Sequence, residues 1–154
     1  NALAAAAAAL ACGVDLEAIP EGLAEASLSP WRMEMATAPD GAIVLNDSYN
    51  ANPTSVAAAL ESLVAIPAKR HFAVLGRMAE LGEHEHAEHL AIGALARGLG
   101  VRLISVAAPG YGGEDVPDVE AAIAALGDLG EGDAVLVKGS RVAGLERLAE
   151  VLLD

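Results

Sequence analysis

From Ala42 onward the chain alternates short apolar runs with longer segments of helical period, and this alternation restricts it to a layered α/β fold. The runs "AIVLND", "HFAVLG", "RLISVA" and "DAVLVKGS" are almost uninterrupted Ala, Val, Ile, Leu and Phe. Strands of that kind are buried on both faces, and crossover helices between them make neighbouring strands parallel. The helical segments are a stretch from Thr54 or Ser55, either of which can cap it, to Ala65, then "EHEHAEHLAIGALARGLG", "DVEAAIAALGDL" and "VAGLERLAEVLL". Before the alternation starts, "WRMEMA" and "AIVLND" flank the turn "TAPDG" and predict a β-hairpin. The expected architecture is a three-layer α/β domain, its sheet mostly parallel, with helices on both faces and a hairpin near its amino-terminal end.

Two helices are expected ahead of the hairpin, one from Ala2 to about Cys12 ended by Gly13, and a short one in "DLEAIPEGLAEA". The run "NALAAAAAAL" has no basic segment before it, as a secretory signal would, and reads as a helix cut at a domain boundary. No other run is long enough to span a bilayer. Residues 1–154 are read as one domain, with "APGYGGEDVPD" its loosest surface loop.

Composition narrows the chemistry. Hydrophobic residues make up 54% but aromatics only 3%, so the core should be Ala, Leu and Val packed closely. With 22 acidic and 9 basic residues the net charge is -13, which argues against a nucleic-acid or anionic-membrane surface. The lone cysteine, Cys12, excludes an intrachain disulfide and a Cys-based zinc cluster, fits a reducing, cytoplasmic compartment, and is expected to be buried.

In a parallel sheet, ligands collect at the carboxyl ends of the strands. The turn "NDSYNANP" there holds Asn46, Asp47, Ser48, Tyr49, Asn50 and Asn52 before a helix. Such a turn suits an anion on the helix N-terminus and two vicinal ribose hydroxyls on Asp47. It also suits an Asx-rich cap with no ligand, and its residues alone leave both readings open. Lys138, Ser140 and Arg141 in "VKGSRV" put two cations and a hydroxyl at another strand end, where they could clamp phosphate or carboxylate, or merely offset acidic neighbours. His84, His86 and His89 do not form HExxH, and read as a solvated helix terminus with no metal role. A P-loop, a GxGxxG fingerprint and a nucleophile elbow are all absent, so these loops hold binding groups without a nucleophile.

Taken in order, "NALAAAAAAL", "WRMEM", "NDSYNANPTSVAAAL", "VLGRMAELGEHEHAEH" and "VLVKGSRV" resemble the carboxyl-terminal part of the Mur ligases, and within them the branch that adds D-alanyl-D-alanine. The resemblance implies a Rossmann-like third domain of an ATP-dependent, Mg2+-requiring amide ligase of peptidoglycan synthesis. Such enzymes phosphorylate the terminal carboxylate of UDP-N-acetylmuramoyl-tripeptide, and the amine of D-alanyl-D-alanine displaces the phosphate. Carried over by position, Asn1 resembles the asparagine that contacts adenine. Arg32 resembles the catalytic arginine reaching ribose and phosphate, although Trp31 precedes it where Gly or His is usual. Asp47 resembles the ribose acceptor, and Asn50 and Asn52 the turn residues near phosphate. Tyr49, Lys138, Ser140 and Arg141 resemble the acceptor-side residues. The family commonly has Asp where this chain has Arg77.

The P-loop, the Mg2+ ligands and a carbamylated lysine belong to the family's central domain, from which the Asn1–Gly13 helix is expected to continue. The isolated chain is therefore expected to be inactive, with the enzyme's own amino-terminal and central domains as its partners. A stand-alone Rossmann-like module for a nucleotide or small acid is the alternative.

Overall fold

The computed structural model of the chain describes residues 2–26 and 29–154. Helices α1 (Ala2–Ala11) and α2 (Ile19–Ala24) come first, joined through a 3-10 turn at Leu16–Ala18. The hairpin follows as β1 (Glu34–Thr37) and β2 (Ile43–Asp47), so Trp31, Arg32 and Met33 of the expected strand lie in the loop before it. The alternation then runs α3 (Pro53–Ala65), β3 (Arg70–Leu75), α4 (Glu85–Gly98), β4 (Arg102–Val106), β5 (Glu114–Val116), α5 (Val119–Leu126), β6 (Asp133–Lys138) and α6 (Glu146–Leu153).

The six strands form one sheet in the order β1-β2-β6-β3-β4-β5. Only the β1–β2 pair is antiparallel, with Glu34 opposite Asn46 and Thr37 opposite Ile43. The other pairs are parallel. Side-chain alternation along each strand divides the core in two, because successive residues face opposite sides of a sheet. Leu45, Ala73, Leu75, Leu103, Ala134 and Leu136 pack toward α3 and α4. Val44, Phe72, Val74, Ile104, Val135 and Val137 pack toward α5 and α6. The expected three layers are present, and both cores are mainly Ala, Leu and Val.

Three local expectations need correction. The segment after β4 is not simply a loose loop: it holds edge strand β5, and Tyr111 within it is 1% exposed. That tyrosine was hidden by its Gly-rich surroundings, which read as a turn; Gly93 on α4 lets its backbone come so close that an added Cβ would lie 1.6 Å from the Tyr111 carbonyl oxygen. Cys12 is exposed, because it follows a helix with no buried residue. The cap of α3 is Asn52 rather than Thr54 or Ser55: its side chain accepts from Ser55 N–H at 2.9 Å while Ser55 Oγ accepts from Asn52 N–H at 3.1 Å.

Candidate functional site

Strand order brings the sequence-distant motifs together. Asp47 ends β2 and is in register with Lys138 at the end of β6, which is in register with Leu75 at the end of β3. The chain leaves β2 and β3 toward the α3/α4 layer, and leaves β6 toward the α6 layer. A crevice forms where neighbouring strands send their loops to opposite faces, and "NDSYNANP", "GRMAELG" and "KGSR" all border it.

Lys138 is 2% exposed, and its ammonium donates to Asp47 Oδ2 at 2.5 Å and to the Asn50 carbonyl at 2.8 Å. Asp47 Oδ1 accepts from Met33 N–H at 3.1 Å, and Tyr49 N–H donates to the Trp31 carbonyl at 3.1 Å. These bonds fasten the Arg32 loop to the turn after β2. The loop is bent sharply, with Trp31 and Met33 both at positive φ (61° and 52°), a conformation unusual for bulky side chains. Trp31 thus keeps the backbone shape that a glycine would adopt freely.

On the solvent side the guanidinium of Arg32 lies over the Tyr49 ring at 4.0 Å from its centroid. Arg141 reaches the same ring at 5.8 Å and the Trp31 ring at 5.0 Å. Two exposed cations thus share one phenol at the mouth of the crevice. The sequence motifs named Tyr49, Arg32 and Arg141 separately; Trp31 as a partner of Arg141 was not legible, because its contact crosses more than a hundred residues.

Ser140 is buried and ties loops together: its Oγ accepts from Ala79 N–H at 2.8 Å and donates to the Ala51 carbonyl at 3.4 Å, while its N–H donates to the Arg77 carbonyl at 3.0 Å. Gly76 and Gly139 allow the β3 and β6 ends to touch, since a Cβ on Gly139 would sit 3.2 Å from Gly76 Cα. Asn50 folds its side chain onto Ala51 N–H at 2.8 Å, and Asn52 is the helix cap already described. Asn46 and Ser48 are buried and bonded to each other. Among the sequence-predicted residues, buried Lys138 and Ser140 and the Asn52 cap therefore build the rim, whereas Arg32, Tyr49, Asn50 and Arg141, like Asn52, are exposed on it and Asp47 is partly accessible. Asn1 lies outside the described residues.

Beneath the β3 loop, His89 is 2% exposed rather than solvated with its neighbours. Its Nε2 accepts from Met78 N–H at 3.1 Å, and burial pushes its pKa down, holding the ring neutral. The ring stacks on Tyr111 at 4.3 Å between centroids, and the Tyr111 hydroxyl donates to the Gly76 carbonyl at 2.9 Å. Desolvation drives the Tyr111 pKa up. Arg77 makes a bidentate pair with Glu85 at 2.8 and 2.6 Å, which holds the Glu85 carboxyl below its usual range and joins the loop to α4. No group of three or more His, Cys, Asp and Glu side chains converges as for a metal among the described residues. Nor is any described helix long and apolar enough to cross a membrane.

Comparison with known proteins places this geometry in a family. The profile described as "Mur ligase, glutamate ligase domain" matches residues 31–141. A UDP-N-acetylmuramoyl-tripeptide--D-alanyl-D-alanine ligase of Mycobacterium tuberculosis H37Rv is 41% identical over 99% of this chain and 37% of its own length. The ligase of that name from Escherichia coli K12 is 37% identical over 100% of the chain and 36% of its own. Among solved structures, MurF from Acinetobacter baumannii superposes with a TM-score of 0.83 at 31% identity, over 99% of this chain and 36% of that one. MurF from Thermotoga maritima, solved with ADP, gives 0.80 at 26% identity, over 95% and 35%. The chain thus spans little more than a third of the relatives it matches. From the profile match across the crevice loops and the identity along nearly its whole length, the chain belongs to the Mur ligase family, as a carboxyl-terminal domain of MurF type.

Proposed function

We propose that this chain is the nucleotide- and acceptor-binding domain of an ATP-dependent ligase that joins D-alanyl-D-alanine to UDP-N-acetylmuramoyl-tripeptide in cytoplasmic peptidoglycan synthesis. The observation that carries the reading is the paired exposure of Arg32 and Arg141 on Tyr49, beside the Asp47 carboxylate, at the switch point of the sheet. The relatives' names supply the substrates. The exposed guanidiniums and a carboxylate with accessible oxygen fit a nucleotide, and on this reading Mg2+ is held by the enzyme's central domain.

ATP supplies the phosphoryl group that activates the tripeptide carboxylate. Asp47 accepts the ribose hydroxyls, with Lys138 holding the carboxylate in place. Arg32 stabilises negative charge developing on the transferring phosphoryl, a role for a cation held at the crevice rim over the Tyr49 ring. Arg141 orients the dipeptide carboxylate, so that its amine, once the ammonium has lost a proton, attacks the acyl carbon, forms the amide bond and expels phosphate. Asn1 is assigned to adenine, and Asn50 to the rim near the phosphates. The rigid rim built by Lys138, Ser140 and Asn52 keeps these groups in register.

The test uses the full-length protein and tripeptide carrying heavy oxygen in its terminal carboxylate. The reading expects one labelled oxygen in the released phosphate for each amide formed, strictly dependent on D-alanyl-D-alanine. Amide formation with unlabelled phosphate would refute the acyl-phosphate route, and no amide would refute the assignment.

A further inference from the structure

We propose that Glu80 is a specificity-determining residue that recognises the ammonium group of a zwitterionic acceptor, opposite Arg141; this deepens the ligase reading above and rests on it. A groove of about 220 Å³ is lined by Tyr49, Ala79, Glu80, Arg141 and Val142. Its two charged walls are set by one hydrogen bond: Ala79 N–H donates to Ser140 Oγ at 2.8 Å, so Glu80 and Arg141, the next residue on each loop, flank the same opening. Ser140 is buried, which fixes that relation.

Among the described residues, neither Glu80 nor Arg141 makes an ion pair within 4.0 Å, although both line one groove. Two opposite charges that face one cavity without meeting are complementary to a ligand carrying both charges at its ends. Arg141 takes the carboxylate and Glu80 the ammonium, while the Tyr49 ring and the exposed Val142 offer apolar walls for small side chains. Glu80 also sits at φ 68°, where a glycine would be unstrained, so its side chain stands in a backbone position that does not favour it.

The experiment is steady-state kinetics on the full-length protein. Glu80→Gln should raise KM for D-alanyl-D-alanine on the order of tenfold, the loss expected for a charge-assisted hydrogen bond, and leave KM for ATP within about twofold. Glu80→Gly, which relieves the backbone but lacks the carboxylate, should behave the same. The des-amino analogue N-propionyl-D-alanine, an inhibitor lacking the ammonium, should bind wild type and Glu80→Gln equally, whereas Arg141→Ala should weaken both it and the dipeptide. An unchanged dipeptide KM in Glu80→Gln, or an equal loss for the analogue, overturns the proposal alone. A wild-type protein that makes no amide from D-alanyl-D-alanine overturns the ligase reading as well.

Discussion

Replacing Lys138 with Met isolates what the buried ammonium contributes. Lys138 bridges the ends of β6 and β2 by contacts of 2.5 Å to Asp47 and 2.8 Å to the Asn50 carbonyl, with side-chain exposures of 2% and 14% across the ion pair. Breaking a buried pair costs about 3–5 kcal/mol, mostly because the remaining charge is left without a partner. Asp47 keeps the Met33 N–H and some solvent, so the lower end, about 3 kcal/mol, applies. With a urea m-value of about 2 kcal/mol/M, the unfolding midpoint of Lys138→Met should fall by about 1.5 M. Adding Asp47→Asn removes the stranded charge and should restore roughly half of the loss, a coupling that a double-mutant cycle reads directly. If Lys138→Met moved the midpoint by less than about 0.3 M, or if the two substitutions were additive, the ammonium would not be the clamp described.

Other expectations follow from the scaffold beneath the rim. Gly93→Ala drives a methyl group to 1.6 Å from the Tyr111 carbonyl, so α4 or the Tyr111 segment must move; urea unfolding should show a loss of about 2 kcal/mol or more. Tyr111→Phe removes the bond to the Gly76 carbonyl and should cost about 1 kcal/mol by the same assay. Because burial lowers the His89 pKa from 6.5, the unfolded chain takes up a proton there before the folded one does. This contribution to stability is therefore complete above about pH 6.5 and is lost as pH falls through the lower folded value. The wild-type urea midpoint should decline from pH 7.5 to 5.5, and His89→Gln should flatten that decline.

The alternation of apolar strands and helices was legible because strands buried on both faces need no pairing information to be recognised. Strand order was not, since the return of β6 between β2 and β3 depends on contacts such as Asp47 with Lys138, ninety-one residues apart. The site motifs were visible as polar residues at strand ends, yet the division of labour within them was hidden. Lys138 and Ser140 looked like ligand groups by type, and burial shows them bonded to the protein itself. Arg77 lacked an explanation until the fold brought it to Glu85. His89 looked like one of three similar histidines because the helical phase alone does not tell which ring meets Tyr111.

The crevice is proposed to divide its work between a nucleotide side at Asp47 and an acceptor side at Arg141. A crossed pair of KM values in the full-length protein tests that division. Asp47→Ala should raise KM for ATP about tenfold or more with a smaller effect on D-alanyl-D-alanine, and Arg141→Ala should do the reverse. Unchanged KM values in both variants, or the same pattern in each, would contradict it.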